Sequence, residues 1–215
     1  MEAKPDFKNM STGKKVGYVW DYYRFHILGI IVLTIVFSSI IHHYASLKTV
    51  ALDMIFLNAY TVEDDDEPFA EFLTEQGYDP DEYEVYLTTS LAFALTEDDY
   101  QPDYMTLQAI SAMFSTGDVD VFAMPPQVFD EYASAGYTID LSSVFTEDEL
   151  TAYSDKIVYA TLAETGEHFP SAFNLKDCNW LEEYGFYAGD YYMAITVNTD
   201  SPELTKEFIL YILEY

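Results

Sequence analysis

Five polar or aromatic residues fall where strands are expected to end: Asn58, Tyr60, Thr89, Ser90 and Gln127. Asn, Thr, Ser and Gln each offer donors and acceptors, and Tyr60 adds a face for stacking. Ligands of an open parallel sheet sit beyond the carboxyl ends of its strands. These residues are therefore expected to line a rim that binds a ligand without making or breaking bonds. Signals for covalent chemistry are missing. The chain has no Gly-x-Ser-x-Gly, no phosphate loop and no His-Glu-x-x-His. His26, His42 and His43 belong to an apolar N-terminal stretch, which leaves His168 as the histidine a hydrolytic triad would have to use. Glu164 and Glu167 are separated acids in a loop and do not identify a glycosidase pair. The chain reads as a non-enzyme, with no catalytic residues and no cofactor.

Acidic runs at 63–67, 97–99 and 147–149 raise the question of calcium, a hard cation that wants six to eight oxygens. None has the spaced Asp-x-Asp-x-Asp-Gly pattern, and consecutive acids point in different directions. They read as solvated helix starts, and no metal site is expected. Cys178 is the single cysteine, so neither an intramolecular disulfide nor a cysteine metal cluster can form.

The distribution of charge says more than the net value of -29. Residues 1–47 carry five basic side chains and three acids, whereas residues 48–215 carry four basic side chains and 35 acids. The acidic part repels phosphate backbones and anionic headgroups, which excludes nucleic acid as a partner. Cations and basic protein surfaces are the permitted partners. Residues 25–44 read FHILGIIVLTIVFSSIIHHY and hold no Asp, Glu, Lys or Arg. At about 1.5 Å per residue such a helix spans roughly 30 Å, the thickness of a bilayer core. Trp20, Tyr22, Tyr23 and Tyr44 flank it at headgroup level. Basic residues precede the span, so the positive-inside rule places the N-terminus in the cytoplasm and exports the acidic part. The run is longer than the apolar core of a signal peptide, and His43 stands where a cleavage site wants a small residue. The expected organisation is a basic cytoplasmic segment over 1–24, an uncleaved transmembrane helix over 25–44, a tether over 45–49 and an extracytoplasmic acidic domain over 50–215.

Within that domain, strands are expected at 50–60, 84–90, 118–124 and 191–197. Helices are expected after Pro68, from Asp103 to Gly117, from Val128 to Gly136, roughly over 146–153, and after Ser201 and Pro202. Residues 164–190 read as irregular. Alternating strands and helices predict an α/β fold, a mainly parallel sheet with helices on both faces and 118–124 as a central strand.

A family resemblance emerges from two stretches. The first is Thr106-Leu107-Gln108-Ala109-Ile110-Ser111-Ala112, Thr116-Gly117-Asp118-Val119-Asp120-Val121-Phe122, then Phe129 through Gly136 and Asp140-Leu141-Ser142. The second is Ala194-Ile195-Thr196-Val197-Asn198-Thr199 with Ser201-Pro202-Glu203 and Phe208 through Leu213. Together they resemble the core of extracellular solute-binding proteins, a family of two-lobed clamshells. The length after the span fits one lobe. The resemblance implies a membrane-anchored extracytoplasmic binding module, associated with a transporter, that takes a small solute or peptide at the rim. The alternative is a protein–protein interaction module of a cell-envelope complex with no small-molecule ligand.

Overall fold

The structure is a computed structural model that describes residues 11–45, 47–60, 67–97, 99–117, 119–187 and 189–215. Two compact units emerge, residues 1–47 and 48–215.

Among the described residues the first unit holds one helix, α1 (Thr12–Ala45), of 34 residues. Its stretch Lys15–Tyr44 is long and apolar enough to cross a membrane, a property that a membrane anchor and a signal sequence share. Thr34 returns its hydroxyl to the carbonyl of Ile30 at 2.8 Å, so it leaves no unsatisfied donor on the apolar face. The Arg24 guanidinium lies 4.9 Å from the centre of the Phe25 ring. The helix starts well before residue 25, so part of the expected basic segment is helical.

The second unit contains β1 (Thr49–Phe56), α2 (Glu67–Glu75), β2 (Tyr83–Thr88), β3 (Ala94–Leu95), β4 (Tyr100–Gln101), α3 (Tyr104–Thr116) and β5 (Val121–Met124). It continues with α4 (Pro126–Ser134), α5 (Glu147–Ala152), β6 (Ile157–Thr161), β7 (His168–Asn174), α6 (Asn179–Glu183), β8 (Tyr192–Ile195) and α7 (Pro202–Glu214). Six strands form one sheet in the order β2-β1-β5-β8-β7-β6, and β3 pairs with β4 apart from it.

The sheet is mixed, which corrects the expectation of a mainly parallel one. β1 pairs parallel with β2 and β5, because α2 and α3 lie between consecutive strands and carry the chain back across the sheet. β8 runs antiparallel to β5 and to β7, and β7 antiparallel to β6. The β6–β7 hairpin occupies 157–174 and so overlaps the stretch expected to be irregular. Pro170 argues against a strand there, and the structure accommodates it at a register shift between Val158 and Tyr159. The expected central position of 118–124 holds: β5 has β1 on one side and β8 on the other.

Helices cover both faces. Leu52, Met54 and Phe56 of β1 join Val121, Phe173 and Met193 in a cluster with α2, α6 and α7. Ile55, Phe122 and Ala194 point the other way, into a cluster with α3 and α4. This is the period of two that a strand imposes on a core with two sides. Phe208 of α7 is fully buried and meets Phe69, Phe72 and Trp180 at ring separations of 5.2–6.0 Å. Removing such a ring from water contributes about 1.5–3 kcal/mol.

Local signals set several ends. Asp103 caps α3 by accepting from the N–H of Thr106 at 3.0 Å, and Gly117 closes it in the left-handed region at φ 85. Thr146 and Glu149 form a capping box on α5. Ser201 stands at the start of α7 but makes no side-chain cap bond. Its own N–H donates to the Thr199 hydroxyl at 3.2 Å, and the buried Asp120 carboxylate holds that hydroxyl. The carboxylate accepts from the N–H of Asp53 at 2.9 Å and from the Thr199 hydroxyl at 2.6 Å. One carboxylate thereby joins β1, β5 and the entry to α7.

Candidate functional site

The carboxyl ends of β1, β2 and β5 form the rim where a ligand is expected. β1 ends at Phe56, and Asn58 turns the chain away in the left-handed region at φ 60, a conformation asparagine tolerates. The Asn58 amide donates to the carbonyl of Phe93 at 2.8 Å, and its oxygen accepts from the N–H of Phe93 at 3.0 Å. Its own N–H donates to the carbonyl of Leu91. Asn58 thus acts as a side-chain substitute for strand pairing and holds the segment after β2 against the end of β1.

Gln127 lies in the first turn of α4 and donates to the carbonyls of Thr96 and Glu97 at 3.4 and 3.3 Å. It steadies the connection between β3 and β4. Tyr60 is 63 % exposed, with its N–H bonded to the carbonyl of Phe186. Ser90 is exposed and Thr89 half-buried. Asn58 and the chain beside Ser90 are therefore brought together, while the amides of Asn58 and Gln127 serve the fold. Tyr60 and Ser90 keep exposed side chains.

Residues 186–191 supply a feature that sequence reasoning missed. Tyr187 is buried, stacks on Tyr191 with ring centres 3.5 Å apart, and donates its hydroxyl to the carbonyl of Leu57 at 3.1 Å. Burial, with Tyr191 alongside, pushes its phenol well above the usual value. Tyr191 donates in turn to the carbonyl of Asn58 at 3.3 Å. Two tyrosines therefore take carbonyls at the exit of β1 that an open rim would present to a ligand. The signal in the sequence is the run Tyr184-Gly185-Phe186-Tyr187, in which glycine punctuates aromatics.

A concavity of about 460 Å³ opens beside the antiparallel half of the sheet. Ile157, Tyr159 and Pro170 of the hairpin line it together with Phe145, Glu147 and Leu150 and the polar Ser142, Thr151 and Ser154. Tyr159 is 51 % exposed and stacks on His168 across the hairpin, with ring centres 5.1 Å apart. His168 Nδ1 lies 3.1 Å from the Thr161 hydroxyl. Among the described residues no carboxylate is bonded to the other ring nitrogen. The strand alternation of 157–161 is the sequence signal that locates this groove.

The acidic run at 63–66 lies outside the described residues. At 147–149, Glu149 accepts from the N–H and hydroxyl of Thr146, which together with Lys206 nearby holds its carboxyl below the ordinary range. Among the described residues no group of three or more His, Cys, Asp or Glu side chains is placed to hold a metal. Cys178 is buried, 3.4 Å from the carbonyl of Ile212, and burial pushes its thiol up, away from the reactive thiolate.

No family model matches this chain, and neither a curated protein nor a solved structure matches it.

Proposed function

We infer that the chain is a single-pass membrane protein whose acidic α/β unit is an extracytoplasmic binding module for another protein of the cell envelope. The observation that carries this reading is the uncharged run 25–44 inside α1, followed within a few residues by the folded unit that begins at Lys48. Basic residues before the run favour a cytoplasmic N-terminus, and its length favours an uncleaved anchor. Protease added to intact cells is expected to remove the acidic unit and leave the N-terminal lysines protected. A mature chain whose mass places its start near Ser46 would overturn the anchor.

A partner protein is favoured over a small solute by what occupies the rim. Tyr187 and Tyr191 cap carbonyls there, and the amides of Asn58 and Gln127 are engaged internally. A small-molecule site normally buries most of its ligand and needs convergent polar groups free to meet it. A solute-binding reading keeps one specific support in the exposed Tyr60 and Ser90, where the resemblance to solute-binding proteins places the ligand. On that reading Tyr60→Ala abolishes solute binding by the full chain. On the partner reading it leaves partner binding unchanged.

A further inference from the structure

The six-stranded sheet has two edges, β2 and β6, and they differ. β2 reads Tyr-Glu-Val-Tyr-Leu-Thr and follows Glu82, so acidic side chains guard it against added strands. β6 reads Ile-Val-Tyr-Ala-Thr, with no charge and no proline. In the hairpin, the Lys156 carbonyl accepts from Asn174 and the Leu162 N–H donates to Glu167, so even-numbered residues bond toward β7. The extra residue at the register shift lies in β7, which preserves the alternation in β6. Main-chain groups of Ile157, Tyr159 and Thr161 consequently face away from the sheet. Beyond them the N–H of Ala163 donates to the carbonyl of Ser134 at 3.0 Å, so the end of α4 closes the edge there and leaves 157–161 open.

The groove of about 460 Å³ adjoins that same stretch. Its lining includes the exposed Tyr159 ring and the aliphatic Ile157 and Leu150, and Glu147 is its acid. Glu149, two residues on, is held by Thr146 and lies 4.0 Å from Lys206, whereas Glu147 enters no ion pair among the described residues. An aromatic face, aliphatic side chains and a nearby carboxylate together suit a cation on an apolar stem. Around them, residues 48–215 carry 35 acids against four basic side chains, which draws positive partners toward the unit.

We propose that the β6 edge and this groove receive an extended, positively charged segment of the partner protein, with an arginine or lysine stem on Tyr159 and its charge at Glu147. The proposal rests on the partner-binding reading and gives that partner its chemistry. An added strand makes main-chain bonds to Ile157, Tyr159 and Thr161 and points alternate side chains into the groove.

The test uses the full chain in lipid nanodiscs and a fluorescent peptide of alternating valine and threonine with one central arginine. Two companion peptides replace the arginine with neutral citrulline or carry N-methyl groups on alternate amides. Citrulline is expected to weaken binding about three- to fivefold, as are Glu147→Gln and Tyr159→Ser, while Glu84→Gln on the opposite edge and Tyr159→Phe leave it unchanged. N-methylation is expected to remove binding. Equal binding of the arginine and citrulline peptides overturns the proposal, as does indifference to N-methylation or an equal loss from Glu84→Gln and Glu147→Gln. Those failures reject this groove alone, because the anchored-module reading is judged separately by protease protection.

Discussion

The parallel half of the sheet, β2-β1-β5, and the antiparallel half, β8-β7-β6, treat their boundaries in opposite ways. The parallel half has the architecture that predicts a ligand rim, yet its strand ends are held by the Asn58–Phe93 pair and capped by Tyr187 and Tyr191. Nothing in the usual rule for open sheets points to the antiparallel half, yet it ends in an uncharged edge beside a groove. The contrast teaches that strand direction tells where a site can form, while the fate of individual carbonyls and amides tells whether those groups remain for a ligand.

The largest expected effect tests whether the halves are one folding unit. Phe56 of β1 and Phe173 of β7 lie fully buried in the same cluster. Phe56→Ala and Phe173→Ala are each expected to destabilise the unit by about 3–5 kcal/mol. Both variants are expected to unfold in a single transition seen alike by circular dichroism and tryptophan fluorescence. Retained protection of β1 and β2 amides in Phe173→Ala, while β6 and β7 exchange, would show that the halves fold apart.

Next in size is the polar joint between them. Asp120→Ala strips the acceptor from the Asp53 N–H and the Thr199 hydroxyl, with an expected loss of about 2–3 kcal/mol in denaturant unfolding. Burial raises the Asp120 carboxyl above its ordinary value of 3.8. The folded state then holds the proton to higher pH than the unfolded state does. This group's contribution therefore makes stability fall as pH rises from near 3.8 into the raised range. Asp120→Asn, which lacks the titration, is expected to show a flatter profile across that interval. Glu149 has the opposite sign: its carboxyl is lowered, so its contribution is lost as pH falls through the folded value.

Smaller effects sharpen the contrast at the rim. Tyr187→Phe removes the bond to Leu57 and is expected to cost about 1 kcal/mol. Tyr60→Ala, at an exposed ring, is expected to stay within about 0.5 kcal/mol of the parent. Equal losses from the two would mean that Tyr60 belongs to the packed cap rather than to open surface.

Much of the parallel half was legible because its signals are local. Pro68 and the Phe69, Phe72 and Leu73 stripe announce α2, Asp103 and Gly117 bound α3, and the apolar run 121–124 announces a strand buried on both faces. In the antiparallel half the run 191–197 was legible as the strand β8, but β6 and β7 were not, since their evidence is long-range. Pro170 and the glycines at 166, 185 and 189 read as loop until the pairing of β7 with β8 is known. Asn58 and Gln127 were legible as polar residues near strand ends, but their partners Phe93, Thr96 and Glu97 lie 30 or more residues away. A side chain that completes distant backbone pairing looks, in sequence, the same as one waiting for a ligand.

Site-specific photo-crosslinking in intact cells tests the central claim most directly. A photoreactive residue is placed in the full chain at Tyr159, beside the groove, or at Tyr60, on the rim. The account predicts a covalent adduct with an envelope protein from position 159, diminished by Glu147→Gln, and none from position 60. An adduct from position 60 with none from position 159 would contradict it and move the binding face to the parallel rim.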